Sequence, residues 1–111
     1  MSTEKKGIQI VGKDQYLFYI KDSLYLVKDG RKEWTVPYPH RLTPHSIFFN
    51  SNGKIFIGNI DGHGVRIYDS VEDISKGVFK KYLNGNAVVN IFVDQKGGYW
   101  VATLNLSLIH I

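Results

Sequence analysis

The stretch His45-Ser-Ile-Phe-Phe-Asn-Ser-Asn-Gly-Lys-Ile-Phe-Ile-Gly-Asn59 decides the reading of this chain, because it lies without a gap over Val89-Asn-Ile-Phe-Val-Asp-Gln-Lys-Gly-Gly-Tyr-Trp-Val-Ala-Thr103, 44 residues further on. Ile47 falls on Ile91, Phe48 on Phe92, Gly53 on Gly97 and Phe56 on Trp100, while Asn50 meets Asp94 and Gly58 meets Ala102. Apolar, turn and small positions coincide, which is the mark of a repeated supersecondary unit; a period of about 40 to 45 residues is that of propeller blades. A fainter copy runs from Ile8 through Gly30, with Tyr16-Leu-Phe-Tyr-Ile20 in place of the Ile-Phe-Ile strand.

Outward from this core, apolar and polar residues alternate almost everywhere, the period of strands and not of helices. Short runs rich in Ile, Val, Phe and Tyr cover residues 8–11, 16–20, 24–28, 33–36, 46–49, 55–59, 65–69, 79–83, 88–93 and 99–103. Between them lie Lys13-Asp14-Gln15, Lys28-Asp29-Gly30, Ser51-Asn52-Gly53, Asp61-Gly62-His63-Gly64, Asn84-Gly85-Asn86 and Lys96-Gly97-Gly98. Asn, Asp and Gly tolerate the positive φ of tight hairpins, so neighbouring strands are expected to pair antiparallel. Only Val71 to Lys76 reads as a helical turn. The expected fold is all-β: a partial β-propeller of about two and a half four-stranded antiparallel blades, covering about 8–37, 46–83 and 88–105.

After Asn105 the register fails, since Gly62-His-Gly64 is faced by Leu106-Ser-Leu108. The run Leu106-Ser-Leu-Ile-His-Ile111 is similar to the translation of a transposon mosaic-end sequencing adapter, so residues 1–105 are expected to be propeller and 106–111 a non-native tail. The competing expectation, a genuine terminal strand, rests on the alternation of the same residues.

Composition narrows function more than it defines it. The chain has 111 residues, 43% hydrophobic and 22% charged, which suits one globular domain and excludes a disordered polyelectrolyte. The absence of cysteine removes disulfides, thiolate zinc sites and a cysteine nucleophile. A net charge of +4 comes from fourteen Lys and Arg spread thinly, with doublets only at Lys5-Lys6, Arg31-Lys32 and Lys80-Lys81. No base-and-aromatic stacking surface emerges, so no nucleic-acid partner is expected. No apolar run approaches the ~20 residues of a membrane span, and residues 1–6 lack the apolar stretch of a signal peptide. With Met1 as the true start the product would be cytosolic; with Met1 internal, the compartment stays open.

The segment Val93-Asp94-Gln-Lys-Gly97-Gly-Tyr-Trp100-Val-Ala-Thr103 resembles the D-x-x-G-x-[LY]-W-[IV]-[GA]-T core of the two-component regulator propeller repeat. Asn50-Ser-Asn-Gly53-Lys-Ile-Phe56-Ile-Gly-Asn59 is a degenerate version, and Asp61-Gly-His-Gly-Val65-Arg-Ile-Tyr68-Asp69 matches the Gly-then-aliphatic-strand continuation that ends in Tyr-Asp. The resemblance covers residues 45–103 firmly and 8–37 loosely. It implies a sensory propeller of the kind attached to histidine kinases and hybrid regulators, in a periplasmic or extracellular setting. Asp94, Gly97, Trp100, Thr103, Asn50, Gly53 and Phe56 are then structural: Asp94 and Gly97 bracket a hairpin, and Trp100 is an apolar wedge against the adjacent blade, which the small Gly58 or Ala102 lets approach. Truncating a fully buried Trp100 to Ala would cost about 3 to 5 kcal/mol.

In a propeller, the loop leaving each blade shares a rim with the loop between the second and third strands, and such loops carry recognition. That rim would collect the ligand-binding candidates Tyr38, His40, Arg41, His45, Asp61, His63, Asn84 and Asn86. Arg41 suits a carboxylate or sulfate and Tyr38 a stacked sugar or peptide. The His spacing does not support a metal site, Ser46 beside His45 lacks a G-x-S-x-G elbow, and Asp61, Glu72 and Asp73 fall in surface turns or a linker. No catalytic residue and no cofactor are expected. A non-catalytic sensory segment is the leading expectation, its partners being the remaining blades of the parent chain and a small-molecule or glycan ligand, without membrane contact. The alternative is a piece of a propeller lyase or glycan hydrolase whose catalytic residues lie in other blades. A WD-repeat scaffold is a third reading, but neither copy holds the Gly-His and Trp-Asp pairs.

Overall fold

The computed structural model describes residues 8–38, 47–49 and 53–111. Eleven strands and one short helix follow in the order β1 (Ile8–Gly12), β2 (Gln15–Ile20), β3 (Ser23–Lys28), β4 (Arg31–Pro37), β5 (Ile47–Phe49), β6 (Ile55–Asn59), β7 (Gly64–Tyr68), α1 (Val71–Lys76), β8 (Lys80–Tyr82), β9 (Val88–Val93), β10 (Tyr99–Thr103) and β11 (Leu108–His110). They form three antiparallel sheets, ordered β1-β2-β3-β4, β5-β6-β7-β8 and β9-β10-β11. Each sheet is a meander of sequential hairpins, as the alternation and turn chemistry predict.

The sheets stack face to face in chain order. β1 lies next to β5, and β9 lies next to β5 and β6, so the first strand of each sheet borders the first strand of the following one. Successive meanders that share such an inner line are propeller-like. Strand β11 pairs with β10 through Trp100↔His110, Val101↔Ile109 and Ala102↔Leu108, so part of the stretch 106–111 forms the third strand of the last sheet.

Two cores result, one in each seam, because the middle sheet is buried on both faces. All five residues of β6 are buried. Ile55 and Ile57 enter the first core with Leu17, Leu24, Leu26 and Tyr38, while Phe56 and Val65 enter the second with Val88, Ile91 and Val101. Period-2 geometry sends alternate side chains of one strand into different seams. Among the described residues the outer sheets are covered on one side only: Tyr16 and Ile20 on the first, and Phe92 and Leu108 on the third, remain exposed.

Helix α1 links β7 to β8 and closes over the first seam. Ser70 caps its start by accepting a hydrogen bond from the Asp73 amide, and Gly77 ends it in the left-handed region at φ 71°. Both are standard stop and start chemistry for a helix this short. Val71 and Ile74, one turn apart, are its buried contacts with the first core.

Candidate functional site

The two described loops expected on the rim do meet. Gly85 N–H donates to Gly62 O at 2.7 Å and Gly64 N–H donates to Asn86 O at 3.0 Å, tying the β6–β7 hairpin to the chain that leaves β8. The first sheet repeats the arrangement: Tyr38 N–H, just past β4, donates to Asp22 O in the β2–β3 turn at 2.7 Å. Gly64 sits where a side chain could not. Its φ is 68°, and a Cβ there would lie 2.2 Å from Tyr82 O.

Of the expected rim residues, Asn84 and Asp61 are exposed, and His63 and Asn86 are half-buried. Asp61 Oδ1 accepts from the His63 amide at 3.2 Å and stands 2.9 Å from His63 Nδ1. Asn86 turns its amide inward to Leu83 O at 3.2 Å, so it stiffens the loop. His40, Arg41 and His45, together with Asn50 of the repeat motif, lie outside the described residues. Among the described residues no group of three His, Cys, Asp or Glu side chains could hold a metal ion, and no helix is long and apolar enough to cross a membrane.

Tyr38 is not a rim side chain. It is 2% exposed, and its hydroxyl donates to Asn59 Oδ1 at 2.9 Å inside the first seam. Burial pushes the hydroxyl well above its ordinary pKa, with nearby Tyr68 adding to the rise and Arg66 and Asn59 opposing it. It stays protonated and donates across the seam, and its ring lies beneath the Arg66 guanidinium. Asn59, fully buried, uses its other end to donate to Gly64 O at 3.0 Å. Thr103, its repeat counterpart, is also buried, with its hydroxyl on Asn105 and Ser107.

The repeat motif is structural in a different way from the wedge expected of it. Asp94 caps its own hairpin by accepting from Lys96 N at 2.9 Å and Gly98 N at 2.8 Å, and Gly97 takes φ 84°. Trp100 Nε1 donates to the second Asp94 oxygen at 2.8 Å. Those donors, the indole foremost, hold the Asp94 carboxyl below the usual carboxylate range. Trp100 does not pack against the middle sheet. The residue that does is Tyr99, whose ring stacks on Phe56 with centroids 4.7 Å apart, while Trp100 lies against His110 at 4.9 Å on the opposite face. Phe56 and Trp100 are equivalent in register and point the same way round the stack, but among the described residues only Phe56 has a following sheet to meet.

A cluster that sequence reasoning missed lies in the first seam beneath α1. Arg66 and Tyr68 on β7 point toward the first sheet, with the Arg66 guanidinium over the Tyr38 ring at 4.7 Å and the Phe79 ring at 4.2 Å. Arg66 Nη1 donates to the Tyr68 hydroxyl at 3.3 Å. The available signal was the alternation Val65-Arg66-Ile67-Tyr68, which puts a cation and a phenol on one face of a strand whose other face is aliphatic.

Stacked antiparallel meanders with aligned first strands, loops gathered on one rim and a repeat-bearing hairpin define a propeller-like, all-β repeat protein. Residues 82–105 match the family model described as two component regulator propeller. The matched segment takes in β9 and β10, with Asp94 and Trp100 at its centre, and is what the chain has in common with that family. The chain is also 29% identical over 91 residues to 1-deoxy-D-xylulose-5-phosphate synthases of Clostridium perfringens strains SM101, ATCC 13124 and 13. That alignment takes in 82% of this chain and 13% of the synthases' length. No solved structure matches the chain.

Proposed function

We propose that this chain is a non-catalytic segment of a sensory propeller of the two-component regulator type, with further repeats stacked on its outer sheets and a small-molecule or glycan ligand held by rim loops. The observation that carries the reading is the family repeat at 82–105, seated in a sheet whose Trp100 face no described sheet covers. The hydrogen-bonded loops at Gly62–Gly85 and Gly64–Asn86 support a rigid rim on which exposed polar side chains could recognise a ligand.

The second reading is a piece of a propeller lyase or glycan hydrolase whose catalytic residues lie in other blades. The test uses the full-length protein. Thermal-shift screening against small acids and glycans should find a ligand whose stabilisation is lost in Arg41→Ala or His63→Ala, with no turnover of that ligand. Turnover of that ligand by the full-length protein would replace the sensory reading with the enzymatic one, and a ligand response indifferent to both substitutions would remove the rim from it.

A further inference from the structure

Between the first and second sheets, under the carboxyl end of α1, the structure holds a cleft of about 250 Å³ lined by Val36, Pro37, Tyr38, Arg66, Tyr68 and the α1 residues Ile74 to Gly77. Two of its lining residues are cations, Arg66 and Lys76, and none is a carboxylate. Arg66 makes no ion pair with any described residue. Its contacts are the two rings and the Tyr68 hydroxyl, and its Nε is buried without a hydrogen-bond partner. A guanidinium left with unused donors in a partly dry setting is short of an anion, since unmet buried donors cost free energy that a charge-assisted bond would recover.

The remaining groups say which anion. Tyr38 already donates to Asn59, and the Ser75 hydroxyl already donates to Glu72 O, so the side-chain donors left among the lining residues are the Arg66 fork, the Tyr68 O–H and the Lys76 ammonium, of which only the fork lies over the two rings. A fork with two parallel N–H groups matches a carboxylate, whereas a phosphate asks for donors on several sides. Val36, Pro37 and Ile74 add an apolar wall. The volume lies below the ~300 to 1,000 Å³ of ordinary ligand pockets, so the occupant is small.

We infer that this seam cleft is a binding site for a small monocarboxylate with a compact apolar body, held by the Arg66 guanidinium between the Tyr38 and Phe79 rings. The site lies inside the stack and, of the rim candidates, uses only Tyr38, and neither Arg41 nor His63, so it stands or falls independently of rim recognition.

Amide resonances of the full chain, followed while sodium benzoate, benzamide or inorganic phosphate is added, provide the test. Benzoate should shift residues 66–68 and 74–77 saturably, while benzamide, which has the same ring without the charge, should leave them in place. Arg66→Lys keeps the charge but loses the fork and should weaken benzoate binding by about tenfold; Arg66→Met should abolish it. Because removing Arg66 could disturb the seam, the benzoate-against-benzamide comparison on the unaltered chain decides without any variant. Equal responses to benzoate and benzamide, tighter binding of phosphate, or no saturable shift with benzoate would each overturn the inference.

Discussion

The Tyr38 hydroxyl and the Asn59 side-chain oxygen meet at 2.9 Å in the buried seam between the first two sheets, joining residues 21 positions apart. Asn59 passes the link on to Gly64 O, and the Gly64 amide donates to Asn86 O, so one chain of hydrogen bonds runs from the first sheet to the connector entering the third. Buried polar groups are stable only when paired, which makes this line a check on how the sheets are seated.

Tyr38→Phe should destabilise the chain by about 1 to 3 kcal/mol, because it leaves the Asn59 oxygen buried and unmet. Asn59→Ala should cost more, since it strands both the Tyr38 hydroxyl and Gly64 O. Urea unfolding of the two single variants and the double variant reads the coupling. Additive losses would mean that the two side chains do not depend on each other.

Gly64→Ala should be among the most damaging small changes available. The new methyl would lie 2.2 Å from Tyr82 O and 2.6 Å from Leu83 O, both backbone, at a φ of 68°. Gly30→Ala is the control: its φ is 79° but nothing lies within 4 Å, so only the left-handed penalty of about 1 to 2 kcal/mol applies. Melting temperatures should fall clearly further for Gly64→Ala; equal falls would show that the β6–β7 hairpin is not clamped to the β8–β9 connector.

Acid should loosen the third sheet through Asp94. Its folded carboxyl titrates below the ordinary value because Trp100, Gly98 and Lys96 donate to the ionised form. The stabilisation is therefore present above the unfolded carboxyl pKa of about 3.9 and is lost as pH falls through the depressed folded value. Asp94→Asn should be less stable than the parent at pH 7, with the gap closing below about pH 4. A gap that stays constant from neutral to strongly acidic pH would show that the charge on Asp94 contributes nothing.

Phe56→Ala should cost about 3 to 5 kcal/mol, as for a large aromatic in a closed core. Trp100→Ala should cost less in this 111-residue chain, because its ring is partly solvated on the outer face of the third sheet. In a longer product with a further repeat docked there, the two penalties should converge. Chemical unfolding of both variants in both contexts tests the repeat equivalence, and a Trp100→Ala penalty matching Phe56→Ala in the short chain would contradict the outward placement.

The elements themselves were legible because their causes are local. Alternation within runs such as Ile55 to Asn59 and the Asn, Asp and Gly at the turns define hairpins wherever they occur, and the helical turn at Val71 to Lys76 has its cap residues on either side. The Asp94–Trp100 hairpin was legible as a motif, but its hydrogen bond was not, since a tryptophan in a strand reads first as apolar area. The buried placement of Tyr38 was not legible for the same kind of reason. A tyrosine next to two prolines and a histidine looks like loop, and only the seam shows that its hydroxyl has a buried partner.

What the order of residues determined by itself was therefore the strand set, the hairpin pairing and the 44-residue equivalence, all consequences of backbone geometry and side-chain period acting over a few neighbours. Tertiary structure alone decided which faces are covered, because Phe56 and Trp100 hold the same place in their repeats and differ in whether another described sheet lies beyond. It also decided the meeting of Tyr38, Arg66 and Phe79. Those residues come from different stretches of chain, and burial of two sheet faces against each other, a non-local and non-directional force, brings them together.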